Sequence, residues 1–162
     1  MRLSAHGLTA ALPTGWEGAF TTARDASAGR TPSGVTTASL PSLPTLHLAN
    51  FALPADRGDF GSGAVDVMGA SDAFVSLLEY GPECVGTPLF EARGLPRHLA
   101  ASDFSPRALQ RTLAGQAGLQ VFFTEAGRAF CLYAVLGHRA NAATLAREVS
   151  RTLANVTIGP RA

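Results

Sequence analysis

The sequence predicts an α+β fold in which an antiparallel β-sheet is flanked by helices on both faces. Three observations carry that expectation. Residues 119–125 and 129–136 are apolar runs around Glu125-Ala126-Gly127-Arg128, where Gly127 suits the positive φ of a tight hairpin turn. The second run places Phe130, Leu132, Ala134 and Leu136 on one face and Ala129, Cys131, Tyr133 and Val135 on the other. A strand apolar on both faces needs a covering layer on each side of its sheet, so helices or long loops are expected on both. Finally, residues 141–156 repeat Leu145, Val149, Leu153 and Val156 at helical spacing behind Asn141, a candidate cap.

The remaining elements follow along the chain. Residues 3–12 and 15–23 read as two strands joined through Pro13-Thr14-Gly15, residues that favour turns. Residues 24–44 are rich in Ser, Thr, Gly, Ala and Pro without periodicity, and are expected to form a flexible loop. Residues 45–53 and 72–80 carry the patterns of strands covered on both sides. The stretch 81–99 has Pro and Gly at short intervals and reads as irregular. In 105–115, Ser105 suits a cap, Pro106 the first helical position and Gly115 the exit, while Leu109 and Leu113 share a face, so a short helix is expected.

Between two of these strands lies Ala-Asp-Arg-Gly-Asp-Phe-Gly-Ser-Gly-Ala-Val-Asp-Val-Met-Gly, residues 55–69. A phosphate loop needs a Lys and a Ser or Thr after its last glycine, ahead of a full helix. Here there is no Lys, and Asp56, Asp59 and Asp66 repel phosphate. A calcium loop counted from Asp56 would have Gly58 at its third position and Val67 at its twelfth, where acids are required. The Arg57-Gly58-Asp59 triplet is made of common residues. The stretch therefore reads as a tight crossing between strands, with one helical turn after Ser62 and glycines that relieve backbone strain.

At 162 residues the chain fits one domain spanning 1–162, long enough to bury roughly 70% of the surface of its unfolded form without a metal or disulfide. Apolar residues make up 46% and charged residues 15%, which implies an ordinary core under a surface rich in Ala, Gly, Ser and Thr. Cys84 and Cys131 lack any metal-ligand spacing and are expected to be buried free thiols. No run approaches the 18 or so apolar residues of a membrane span, and Gly7, Thr9, Pro13 and Gly15 interrupt the start before a signal core forms, so a cytoplasmic location is expected. His6, His47, His98 and His138 fall in four separate segments, none paired at a ligand spacing, and His47 reads as a core histidine. Ser62 and Ser76 lack the nucleophile-elbow spacing, and Glu79 with Glu83 reads as a solvated pair. No catalytic residue, metal or cofactor is expected.

Charge is the one global asymmetry. Residues 1–92 hold four Arg against nine acids, a net of −5, and residues 93–162 hold nine Arg against three acids, a net of +6. Arg93, Arg97, Arg107, Arg111, Arg128 and Arg139 are therefore candidates for a basic face that meets the acidic surface of another protein chain. The alternative is that the halves interleave and neutralise each other. An overall charge of +1 and the lack of aromatics among these arginines argue against nucleic acid.

The opening Gly-Leu-Thr-Ala-Ala-Leu-Pro-Thr-Gly-Trp-Glu, the long hairpin, the exit Val-Leu-Gly-His-Arg-Ala-Asn and the closing helix ending in Leu-Ala-Asn-Val-Thr-Ile together resemble the PsbP-like fold group. That group includes an extrinsic photosystem subunit, a Ran-binding release factor and small proteins of high-GC bacteria. The resemblance is one of layout over most of the chain and carries over no functional residue. It implies a sheet flanked by helices and a non-catalytic role in binding or assembly. The expected function is thus a protein-binding or accessory module, self-association included. A carrier that holds an apolar molecule or lipid between sheet and helix is the alternative, and an enzyme comes third.

Overall fold

The computed structural model describes residues 1–22 and 43–161. Nearly all of the loop expected at 24–44 lies outside the described residues. In chain order the elements are β1 (Arg2–Ala5), β2 (Leu8–Ala11), β3 (Glu17–Thr22), β4 (Pro44–Ala49), β5 (Ala73–Tyr80), β6 (Ala117–Glu125), β7 (Arg128–Leu136), α1 (Ala142–Ala154) and β8 (Val156–Ile158), with short 3-10 turns between. They form two antiparallel sheets, one of five strands in the order β3-β4-β5-β7-β6 and one of three in the order β1-β2-β8.

Among the described residues the expected helices on both faces are not there. The chain is mostly β, and among the described residues its one α-helix has 13 residues. One face of the large sheet packs Leu46, Val75, Leu77 and Leu132 against Leu145, Val149 and Leu153 of α1 and against Leu8, Val156 and Ile158 of the small sheet. The other face carries Ala49, Phe74, Leu78, Cys131, Tyr133 and Val135, and loops cover it. Phe51, Leu53, Phe60, Val65 and Met68 from the glycine-rich crossing, with Leu109, supply the covering side chains. The apolar count was right about a second layer, but Pro54 and glycines 58, 61 and 63 deny that layer a helix.

Local departures have similar causes. Residues 3–12 are not one strand: His6 and Gly7 take φ of 54° and 76°, and the chain folds back there as the β1–β2 hairpin with Ala5 opposite Leu8. In 105–115, Ser105 does cap, accepting from the Arg107 N–H at 3.1 Å, and Pro106 opens a turn, but the turn ends at Ala108. The next donor, the Gln110 N–H, is taken by the Tyr133 hydroxyl at 2.9 Å, and Ser105 pairs its backbone with Gly118, so tertiary bonds replace a helical ladder. The closing helix stops at Ala154 because Val156 and Ile158 pair with Ala10 and Leu8 as a third strand. Asn141 makes no capping bond; its side-chain N–H₂ donates to the Ala70 carbonyl at 2.9 Å, and His138 Nδ1 instead accepts from the Ala140 N–H. Ser62 likewise caps nothing, since the short turn at Val65–Val67 begins after Ala64.

Candidate functional site

The site is built around the glycine-rich crossing, which is strapped to the sheet at one carbonyl. His47 on β4 and Ser76 on β5 are direct cross-strand neighbours on the loop-covered face. Both donate to the Asp59 carbonyl, His47 through Nε2 at 2.9 Å and Ser76 through Oγ at 2.5 Å. Nδ1 of His47 accepts from Arg57 Nε at 2.8 Å, and Arg57 also donates to the Pro54 carbonyl at 2.8 Å. The ring is thereby fixed as the neutral Nε2–H tautomer. Burial lowers the His47 pKa to about 4; the Asp59 carbonyl acts the other way, and the Arg57 charge depresses the pKa further.

Two glycines let the strap lie this close. Gly61 has φ +79°, and a Cβ on it would sit 2.4 Å from the Phe74 ring. Gly63 has φ +90°, and its Cβ would sit 2.5 Å from the Asp56 carbonyl oxygen. A side chain at Gly61 would lift the strap off the sheet, and one at Gly63 would push the strap's own two arms apart.

Beside the strap lies a recess of about 80 Å³, walled by Phe60, Val65, Leu109, Gln116, Tyr133 and Val135. Arg111 and Asp66, an exposed ion pair, form part of its lining. Gln116 is 6% exposed, and its Nε2 donates to the Val65 carbonyl at 2.9 Å. Turning the amide over would set two carbonyl oxygens face to face, so its orientation is determined. Its Oε1 is closed off from the recess as from solvent and accepts no hydrogen bond from the described residues. Tyr133 presents a hydroxyl whose oxygen already accepts from the Gln110 N–H, and burial raises its pKa. No sequence signal marked Gln116 or Tyr133 as functional; Gln116 stands among Ala114, Gly115, Ala117 and Gly118 without a motif.

The candidate arginines do not assemble into one face. Arg128 is 4% exposed; it grips Glu79 with Nε at 3.0 Å and Nη2 at 2.7 Å, and Nη1 holds the Gly159 carbonyl at 2.8 Å. It is an internal partner and leaves the set of contact residues. Arg161 also donates to Glu79, so Glu79 faces two cations rather than Glu83. Arg97 is half-buried, bonded to the Val156 carbonyl at 3.0 Å and 3.6 Å from Glu125. Arg111 pairs with Asp66. Arg93, Arg107 and Arg139 are exposed. Arg93 lies opposite Thr124, Arg107 follows the bridge from Ser105 to Gly118, and the Arg139 N–H bonds the Gly115 carbonyl. Thr124 and Gly118 are six positions apart along β6, about 20 Å of extended chain, so these three form a line along an edge strand.

A larger open groove of about 790 Å³ runs between the turn at Pro13 and Trp16 and α1, with Asn50, Glu148, Arg151 and Asn155 along it. Among its polar groups Asn50 is already satisfied: it accepts from the Ala73 N–H at 2.7 Å and donates to the Ser71 carbonyl and to Glu148. Among the described residues no three His, Cys, Asp or Glu side chains gather as a metal site. Cys84 and Cys131 are free; Cys131 is buried, with its thiol pKa pushed up to about 11 by burial, whereas Cys84 is only half-buried. No described helix is long and apolar enough to cross a membrane. No protein-family model, curated protein or solved structure matches the chain.

Proposed function

We propose that this chain is a non-catalytic binding module that holds a small, largely apolar molecule on the loop-covered face of its five-stranded sheet. The single observation that supports this reading most is the recess itself, about 80 Å³ walled mainly by the apolar Phe60, Val65, Leu109, Tyr133 and Val135. One trapped water needs only about 10–15 Å³ of such space, and the recess has about 80 Å³. The site lies across the sheet from α1, so the carrier reading takes a different place from the one expected between sheet and helix. His47 argues for binding rather than catalysis, because both its ring nitrogens are committed to holding the strap.

A second reading, contact with an acidic protein surface, has Arg93, Arg107 and Arg139 in its favour, exposed and free of side-chain partners among the described residues. It is the weaker one, because Arg128, Arg97 and Arg111 are spent internally.

An NMR fragment screen with small neutral rings separates the two sites on the molecule. Shift changes centred on Val65, Leu109, Gln116 and Tyr133 are expected. Fragments that gather at the Trp16 groove and leave those residues unmoved would contradict the proposal.

A further inference from the structure

We infer that the outer edge of the five-stranded sheet takes in an extended acidic peptide as an added strand at residues 120–122. The inference goes beyond the recess reading and does not depend on it. β6 ends the strand order, so the backbone of alternate residues faces away from β7. At Gly118 those outward groups are taken: its N–H donates to the Ser105 carbonyl at 2.9 Å and its carbonyl accepts from the Ser105 N–H at 2.8 Å. At Thr124 the N–H donates to the Ala92 carbonyl at 2.8 Å and the carbonyl accepts from the Gly94 N–H at 2.9 Å. Gln120 and Phe122 share the same outward alternation between them, and their backbone groups have no partner among the described residues.

The gap is bracketed but not covered. The chain passes Thr124 on its way from Phe90, which meets the Phe122 ring edge-on, to Leu95 on the α1 face, and it returns past Gly118 from Phe104 to Leu109. Between these crossings Gln120, Val121 and Phe122 all keep partial exposure, although Val121 packs toward α1 and Phe122 toward the loops, whereas the flanking Leu119 and Phe123 are buried. Exposure shared by both faces belongs to the edge itself. Three residues of an extended chain laid in the gap would meet both free N–H groups and both free carbonyls.

Charge selects the kind of chain. Arg93, Arg107 and Arg139 are exposed along this edge; the exposed Glu91 stands two residues before Arg93, and Glu125 is paired with Arg97. Carboxylates on either side of a short neutral stretch complement the arginines, and lysines in their place would be repelled. A second copy fits badly, since pairing β6 with β6 would drive the crossings of one copy into those of the other and set their arginines side by side.

Hydrogen exchange followed by NMR on the intact protein reads the edge amide by amide. In the free protein Gln120 and Phe122 should exchange on the order of a hundredfold faster than Gly118 and Thr124. Excess acetyl-Glu-Thr-Val-Thr-Glu-amide should slow those two amides, and the same peptide with Lys in place of Glu should bind on the order of tenfold more weakly, by a margin that shrinks as salt is added. Methylating the nitrogens of both Thr in the peptide, or that of Val alone, should abolish binding in one case and spare it in the other, because only alternate amides of a strand face its neighbour. Arg107→Glu with Arg139→Glu should fold and lose the preference for the Glu peptide. Slow exchange of Gln120 and Phe122 in the dilute free protein would overturn the open edge, and protection that grows with protein concentration would give the gap to a second copy instead. Equal binding of the two peptides would overturn the acidic partner, and no protection by either at millimolar concentration would overturn the site. Any of these results leaves the recess reading standing.

Discussion

Glu79 and Arg128 show how a residue's surroundings overrule its sequence context. Arg128 follows a turn and reads as exposed, yet it starts β7, and the register that sets Glu79 opposite Phe130 puts both side chains on the α1 face of the sheet. Burial alone would raise the Glu79 pKa, but hydrogen bonds and charge from Arg128 and Arg161 outweigh it and hold the carboxyl below its usual range. Removing one partner of such a pair strands the other, so Glu79→Leu is expected to cost about 3–5 kcal/mol by urea denaturation at neutral pH. Arg107→Glu, on the exposed edge, should change stability by less than about 1 kcal/mol. His47 gives a pH signature of its own. Its folded pKa of about 4 lies below its unfolded value of about 6.5, so the unfolded chain binds the extra proton first. The contribution is complete above pH 6.5 or so and is lost as pH falls toward 4, a span worth about 3 kcal/mol. His47→Gln should flatten the pH dependence of the urea midpoint in that window; an unchanged slope would show that the histidine does not titrate as its burial demands.

At the scale of elements, what was legible is what depends on local pattern alone. Strands β5, β6 and β7 and the body of α1 were readable because two-faced apolar alternation and a helical stripe survive any packing. The β1–β2 hairpin was not, because His6-Gly7 is a less common pair for a turn that needs positive φ at both positions. The short helix expected at 105–115 failed because its amides have better partners in β6 and β7, which no window of sequence contains. The strap was legible as a connection but not as a clamp, since nothing local says that residue 59 meets residues 47 and 76. Its glycines are unequal in a testable way. Gly61→Ala would force a methyl group into Phe74 at a positive φ, whereas Gly15→Ala meets nothing within 4 Å and suffers the backbone strain alone. The first should destabilise by clearly more than the roughly 1 kcal/mol expected of the second. Equal losses, measured by chemical denaturation, would mean the strap is not pressed against the sheet. In α1, Val149→Asp buries a charge with no partner and should cost about 3–5 kcal/mol.

Across the whole molecule, the opposed charges of the two halves meet at a few points only. Of the four ion pairs among the described residues, three join an acid of the first half to an arginine of the second: Asp66 to Arg111, and Glu79 to both Arg128 and Arg161. The sequence showed the imbalance but not the register that brings these particular residues together. The sheet has one face sealed by α1 and the small sheet and another covered by loops, and the loop-covered face carries the apolar recess. The most direct test is the thermal midpoint of the wild-type protein and of Leu109→Trp, which plugs the recess from a half-buried loop position, each with and without excess 2-pyrrolidinone. A ligand that binds only the folded state raises the midpoint, so the wild-type value should climb with concentration while that of Leu109→Trp stays flat. A wild-type midpoint that does not move, or an equal rise in both proteins, would contradict a binding site beside the strap.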